Sequence, residues 1–175
     1  KIVGCYSTRI GAAVTVSSSG SFTMKNGEVR YNFTDSNSSS MGGTIYGEPS
    51  HNNQGAIIDI SESIISDNKT TGVGGAICGW TVTLDGCTIE RNVSSYNGGA
   101  LYNRSSNNQL TPGKLTIKSS TIAYNTAELN GGGIYVNTDC TIVDSEISNN
   151  DAKGTEGGGV YVQNNQLTPG KLTIK

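Results

Sequence analysis

The chain has 175 residues, of which 15% are charged and 34% are hydrophobic, and its net charge at pH 7 is −2. A near-neutral chain without a basic stripe argues against a nucleic-acid partner. No run of 18 apolar residues occurs, so the sequence predicts no membrane-spanning helix in this segment.

A nine-residue pattern, I-x-x-S-x-I-x-x-N, recurs along the chain, usually with a further apolar residue two positions ahead of it. The copies run, in chain order, over residues 22–32, 58–68, 82–92, 115–125 and 140–150, and a half copy stands at 172–174. Apolar and polar residues alternate at the start of each copy, which is the signal of a β-strand.

A second motif follows each Asn: two Gly, a small residue, an aliphatic residue and usually Tyr. It begins, in chain order, at Gly11 (a degenerate copy), Gly42, Gly74, Gly98, Gly131 and Gly157, so the repeats are 24 to 33 residues long. The Gly pairs predict tight backbone corners. They do not form a phosphate-binding loop, because no helix follows them and no Lys-Ser/Thr completes that motif.

Stacking the repeats brings like side chains into columns. A strand with one apolar face cannot bury that face alone, so neighbouring copies must cover it. Three apolar columns result, and their first members are Met24, Val29 and Val14. They predict an all-β solenoid of about six coils with three short strands per coil, stacked in parallel about 4.8 Å apart.

An Asn column marks the point where the strand pattern gives way to a turn. Its members are Asn32, Asn68, Asn92, Asn125 and Asn150. Asn tolerates the left-handed backbone of a sharp corner, and its amide can bond to the same amide one coil away. The first three Asn open N-x-S/T sequons, but a stacked corner Asn is expected to point inward and to be unavailable for glycosylation.

These motifs resemble the right-handed parallel β-helix repeat superfamily over nearly the whole chain. The GGAI-type motif at 42, 74 and 98 resembles the polymorphic outer-membrane-protein and adhesin-like surface repeats of bacteria and archaea. The resemblance implies a right-handed parallel β-helix at the cell surface, and it is specific for fold rather than activity, since the superfamily also includes pectin-lyase-like enzymes. A leucine-rich repeat is the rival fold, but its fourth position is Leu where this chain has Ser, Cys or Gly.

The pattern predicts one continuous β-helix segment over residues 1–175 that begins and ends inside a coil. Ile2 and Cys5 have the spacing of Ile122 and Asn125, and the final LTIK stops within a strand pair. We therefore expect either a longer repeat chain or a subunit that stacks end to end into a filament. The perfect duplication of NNQLTPGKLTIK at 107–118 and 164–175 indicates an array that has recently expanded.

Long connections from the Gly-Gly strand to the next apolar strand come from every second repeat. They cover 47–55, 103–113 and 163–170. Stacked in register, they form a predicted ridge of binding loops, and surface glycans are the ligand that we expect there. The candidate loop residues are His51, Asn52, Asn53, Asn107, Asn108, Gln109, Asn164, Asn165 and Gln166. The alternative is that these loops are tolerated insertions without a role.

Two outward columns could also contact a ligand. Tyr46, Tyr102, Tyr135 and Tyr161 are expected to line up on the solvent side, interrupted by Cys78, and could grip sugar rings or merely favour strand structure. A Thr column, with members at 23, 83, 116, 141 and 173, invites comparison with ice-binding solenoids. The outward positions beside this column include Lys and Asp and do not form a second Thr column. The flat Thr face of that family is therefore not present.

No catalytic, cofactor or metal site can be assembled from the sequence. The acidic residues scatter over different columns, and Asp67 beside Arg91 of the next coil predicts a surface ion pair. Two carboxylates and a Lys or Arg within about 6 Å on the folded surface would favour an enzyme. The four Cys occupy different columns, which favours small buried thiols over disulfides.

The sequence therefore predicts a non-catalytic, extracellular structural repeat protein, as a surface adhesin, a stalk or a filament. Its expected partners are its own continuation, another copy, or surface glycans. The alternative is a pectin-lyase-like carbohydrate-active enzyme or a glycan-binding module.

Overall fold

The computed structural model describes residues 1–49, 55–104, 113–163 and 170–175. Within them the chain forms 24 short strands in four parallel sheets of six strands each. Each coil visits the four sheets in a fixed order, and every strand of the inner coils pairs with its counterparts one coil before and one coil after, while the strands of the first and last described coils pair on one side. The result is a right-handed parallel β-helix of about six coils, as the sequence predicts. No helix of the described residues is long and apolar enough to cross a membrane.

We name the sheets A to D in the order in which the chain first enters them. Sheet A contains β1 (Ile2–Val3), β5 (Glu28–Arg30), β9 (Ile64–Ser66), β13 (Thr88–Glu90), β17 (Thr121–Ala123) and β21 (Glu146–Ser148). Sheet B contains β2 (Tyr6–Ser7), β6 (Phe33–Thr34), β10 (Lys69–Thr70), β14 (Val93–Ser94), β18 (Thr126–Ala127) and β22 (Asp151–Ala152). Sheet C contains β3 (Val14–Val16), β7 (Ile45–Gly47), β11 (Ile77–Gly79), β15 (Leu101–Asn103), β19 (Ile134–Val136) and β23 (Val160–Val162). Sheet D contains β4 (Ser21–Lys25), β8 (Ile57–Ser61), β12 (Thr81–Asp85), β16 (Lys114–Lys118), β20 (Asp139–Val143) and β24 (Leu172–Ile174).

The three predicted apolar columns are confirmed by the strand register. In sheet D, Leu84 pairs with Ile60 on one side and with Ile117 on the other. The Val29 column runs in register through sheet A, and the Val14 column runs through sheet C. The aliphatic side chains of the middle coils are fully buried and form one continuous core along the axis.

Sheet B is a fourth strand per coil, where the sequence predicts three. Its strands have two residues each, which is too short to display an apolar alternation. Their inward residues are small or polar, and Thr34, Thr70, Ser94 and Ala127 are buried. A search for aliphatic columns therefore passes over them.

The Asn column lies at the corner between sheets A and B, and each Asn is bound to the next coil. Asn92 donates from its backbone N (2.9 Å) and from Nδ2 (3.0 Å) to Oδ1 of Asn125. The same two bonds join each of the other neighbouring pairs, from Asn32 to Asn150. The three sequon Asn residues are at most 1% exposed, so the inward position that the sequence predicts for them is confirmed.

The predicted Gly corners have two physical causes. The first Gly has a positive φ in the motifs that begin at 74, 98, 131 and 157, for example +71° at Gly98, whereas in the motif that begins at 42 the positive φ is at the second Gly, Gly43 (+69°). At the second Gly the backbones of neighbouring coils touch, and a Cβ at Gly99 would overlap the carbonyl oxygen of Gly132. Both positions therefore exclude larger side chains.

Long and short connections between sheets C and D alternate, as predicted. The long ones span 48–56, 104–113 and 163–171, and the short ones are 17–20, Trp80 alone, and 137–138. Trp80 is 3% exposed, and Gly55 from the preceding long connection packs closely on its ring. The next coil holds the backbone at this corner, because Nδ2 of Asn103 donates to the carbonyl oxygen of Trp80 (2.7 Å).

Candidate interaction surfaces

The predicted Tyr column forms on the outer side of sheet C. The register places Tyr46, Cys78, Tyr102, Tyr135 and Tyr161 in neighbouring coils, with Cys78 as the predicted interruption. The ring centroids of Tyr102 and Tyr135 are 5.0 Å apart, and those of Tyr135 and Tyr161 are 5.1 Å apart. The ring planes are inclined by only 15° and 29°, so the rings stack face to face.

The expectation that this column faces solvent is wrong for two of its members, since Tyr46 is 3% and Tyr135 is 5% exposed. At the N-terminal end of the column the cover comes from the connections between sheets B and C. Tyr46, Cys78 and Val73 form a second apolar cluster, against which Ile10, Met41, Tyr96 and Tyr102 pack. The sequence held a signal for this cover, because Ile10, Met41 and Val73 each directly precede a Gly motif.

Burial keeps the thiol of Cys78 and the hydroxyl of Tyr102 protonated at neutral pH. Desolvation raises the pKa of the Cys78 thiol to about 12 and that of Tyr102 to about 12. Arg104 reaches across the Cys78 coil, and its Nη1 donates to the hydroxyl oxygen of Tyr46 (3.2 Å). Neutral groups in a packed stack offer neither a nucleophile nor a base at neutral pH. Rings about 5 Å apart also leave no room for a sugar between them.

The nine predicted loop residues lie outside the described residues. They are His51, Asn52, Asn53, Asn107, Asn108, Gln109, Asn164, Asn165 and Gln166. Recognition by these loops stays a prediction.

The predicted ion pair of Asp67 with Arg91 is present, and it belongs to a small cluster. Arg91 Nε lies 2.7 Å from Asp67 Oδ1, and Arg91 Nη1 lies 2.7 Å from Glu90 Oε1. Two carboxylates and an Arg therefore meet on the surface, which is the arrangement that we take to favour an enzyme. The hydrogen bond from Arg91 lowers the pKa of Asp67, whereas a general acid needs a raised pKa. The cluster is better explained as an exposed ion pair.

The sequence analysis missed an exposed aromatic group on the first two coils. Tyr6 and Tyr31 are each 59% exposed, and the ring centroid of Tyr6 lies 5.7 Å from that of Phe33. The guanidinium carbon of Arg30 lies 5.6 Å from the centroid of Tyr31. Arg30, Tyr31 and Phe33 stand within two positions of Asn32, and Tyr6 follows Cys5, whose backbone N donates to Oδ1 of Asn32. Tyr6 and Phe33 lie on sheet B, the strand that the sequence analysis did not predict.

The outer face of sheet D is the longest stretch of regular strand surface in the described chain. Its central column is Thr23, Asp59, Thr83, Thr116, Thr141 and Thr173, in register as predicted. Charged side chains flank this column in the last three coils: Lys114 and Lys118, then Asp139, then Lys171 and Lys175. The four lysines are exposed, so this part of the face is positively charged.

Two consecutive coils match the Chlamydia polymorphic membrane protein repeat, at residues 62–79 and 86–104. The chain resembles this repeat family. Each match begins at the corner before sheet A, passes through sheets A and B, and ends in or just after sheet C. The matched unit is therefore the part of a coil that carries the Asn corner and the Gly motif. No curated protein and no solved structure matches the chain.

Proposed function

We propose that this chain is a structural segment of an extracellular, adhesin-like surface protein and acts without catalysis. The observation that carries the proposal is the match of two consecutive coils to a repeat of polymorphic membrane proteins. These proteins are a non-enzymatic, surface-associated family. The same Asn and Gly columns continue through the other coils, so the repeat chemistry extends beyond the matched residues.

In this role the protein supplies a rod. Its core is a file of aliphatic side chains, and its coils are joined by parallel backbone ladders and by the Asn bonds. Such a rod holds surface groups at fixed positions, one coil about 4.8 Å from the next. As part of this proposal, the loops between sheets C and D recognise surface glycans.

We further propose that a second copy of this chain stacks end to end on the rod, as in a filament. Among the described residues, β1 to β4 and β21 to β24 each have a neighbour on one side only. An unpaired strand edge is a template for another strand. Light scattering of the purified chain tests this proposal, since a monomer of 18.2 kDa at all concentrations contradicts self-stacking.

Surface labelling tests the main proposal. Intact cells that produce the protein are treated with a membrane-impermeant biotin reagent, and an equal sample is permeabilised first. We expect equal recovery of the biotinylated chain from both samples. A cytoplasmic protein is the control and should be labelled only after permeabilisation. Labelling of this chain only after permeabilisation would contradict a surface role.

The carbohydrate-active enzyme is the second candidate, and only the Arg91 cluster favours it. Incubation of the chain with polygalacturonate, followed by assay of reducing and unsaturated ends, tests it. We expect no product above that of an Asp67→Asn variant, because Asp67 is held ionised by Arg91. Product that disappears in that variant would instead support the enzyme.

A further inference from the structure

The duplicated segment NNQLTPGKLTIK places two identical pairs of lysines on one face of the rod. In β16 the outward Lys114 and Lys118 alternate with the buried Leu115 and Ile117. The second copy places Lys171 and Lys175 at the same positions, on either side of β24, where Leu172 is half-buried and Ile174 is exposed. Strand β20 lies between the two copies and pairs in register with both. The two lysine pairs are therefore two coils, or about 9.6 Å, apart along the axis.

The lysines border the Thr column of sheet D on both sides. Within one strand the two lysines are four residues, or about 13 Å, apart, with a Thr midway between them. Thr116, Thr141 and Thr173 are half-buried and form the floor of this strip. We call the strip of Lys114, Lys118, Lys171, Lys175 and the three Thr the sheet D strip.

The sheet D strip carries four lysines, and three aspartates adjoin it. Asp139 lies between Lys114 and Lys171, and its Oδ1 accepts a bond from the backbone N of Lys171 (3.1 Å). Asp85 is the register partner of Lys118 in the preceding coil, and the exposed Asp144 directly follows Val143, the register partner of Lys118 in the next coil, with its backbone N donating to the carbonyl oxygen of Lys175 (3.2 Å). No lysine of the strip forms a salt bridge with a carboxylate of the described residues. Four ammonium groups in a chain of net charge −2 thus face solvent together.

We propose that the sheet D strip binds a linear, negatively charged polysaccharide that lies along the rod axis. The charges are complementary, and the Thr hydroxyls between the lysines can exchange hydrogen bonds with sugar hydroxyls. One coil is about as high as one sugar is long in an extended chain. A glycan that carries a negative group on every sugar, or on every second sugar, therefore places negative groups beside the lysines of alternate coils. This inference names a ligand class for the surface rod and rests on that proposed function.

Binding is measured with the 175-residue chain and two immobilised probes, polygalacturonate for carboxylate groups and heparin for sulfate groups. The test variants are K114Q/K118Q and K171Q/K175Q, which change exposed side chains and leave the core intact. The matched control is K25Q/K69Q, since Lys25 occupies the position of Lys118 in the first coil and Lys69 lies on sheet B. Circular dichroism confirms that all variants fold.

We expect each test variant to raise Kd about tenfold on the preferred probe, while the control changes Kd less than about twofold. The slope of log Kd against log salt should become shallower by about one to two in each test variant, as ion pairs are lost. Thr116→Val, which removes a hydroxyl and keeps the shape, should weaken binding by about threefold. The preferred probe tells carboxylate from sulfate as the negative group.

Three outcomes overturn the inference. The first is no binding of either probe at low salt, and the second is an equal loss in the test and control variants. The third is tighter binding to phosphatidylglycerol vesicles than to either glycan, with no effect of Thr116→Val, which would assign the strip to a lipid surface. These outcomes differ from a failure of surface labelling, which would contradict the surface role and leave the chemistry of the strip unchanged.

Discussion

At the scale of single residues, the corner Asn combines three hydrogen-bonding roles. Asn92 accepts bonds from the previous coil through Oδ1, donates to the next coil, and also donates to the carbonyl oxygens of Ile65 and Glu90. All these bonds except the partly buried one to Glu90 are buried, so their donors and acceptors would be costly without a partner. These hydrogen bonds explain why Asn occupies this corner, without any role in binding a ligand.

Substitution of Asn92 by Ala should lower the free energy of unfolding by about 3 kcal/mol, because several buried donors and acceptors lose their partner together. Urea denaturation followed by the fluorescence of Trp80, the single Trp, measures the loss. Thr88→Ala, on the outer face of the same coil, is the control and should change stability by less than about 0.5 kcal/mol. Equal effects of the two changes would show that the corner bonds add no stability.

Buried thiols and phenols should make the protein less stable in alkali. Desolvation raises the pKa of Cys78, of Cys140 and of Tyr102 to about 12 in each case. In the unfolded chain these groups lose their protons near pH 9 to 10, so the unfolded state binds fewer protons above that pH. Stability should therefore be retained below about pH 9 and fall as pH rises towards 12.

The slope of unfolding free energy against pH tests this prediction. Cys78→Ala should make the slope between about pH 9.5 and 11 shallower by about 1.4 kcal/mol per pH unit, the value for one proton. A variant with the wild-type slope would mean that Cys78 ionises in the folded state as readily as in the unfolded state.

At the scale of elements, the sequence predicted those strands whose alternation it displays. The aliphatic columns of sheets A, C and D could be found because each places at least one large apolar residue at a fixed distance from the Asn or Gly motif. Sheet B could not be found, because its two-residue strands bury only Thr, Ser or Ala. The burial of the Tyr column was also missed, since it depends on connections that fold back over sheet C.

Two glycines allow the effect of contact between coils to be compared with the effect of backbone conformation. Gly99 lies in the turn before sheet C, and Gly86 lies at the corner before sheet A. Gly99→Ala should cost about 3 kcal/mol or more, because its Cβ would overlap the backbone of the next coil, which cannot move without breaking the ladder. Gly86→Ala should cost only about 1 kcal/mol, since φ is +64° there but the nearest atom to its Cβ is 3.7 Å away. Thermal unfolding of both variants measures the difference. A larger loss at Gly86 would show that backbone conformation, and not contact between coils, selects Gly.

At the scale of the whole molecule, the sequence predicted the rod but could not locate its binding surface. The repeat pattern was enough for the fold, because every coil uses the same columns. The candidate loops were chosen by length alone, and they lie outside the described residues. The sheet D strip needs the register between alternate coils, which brings the two copies of one duplicated segment onto the same face.

Every surface proposed for this protein depends on six coils stacked in one register, and a distance along the rod tests that claim. Spin labels on Thr23→Cys and Thr173→Cys, in a chain that also carries Cys5→Ser, report the separation of the first and last coils by pulsed electron resonance. Five coil steps predict a narrow distribution of distances centred near about 24 Å. A broad distribution centred beyond about 40 Å, as in a chain without stacked coils, would contradict the account.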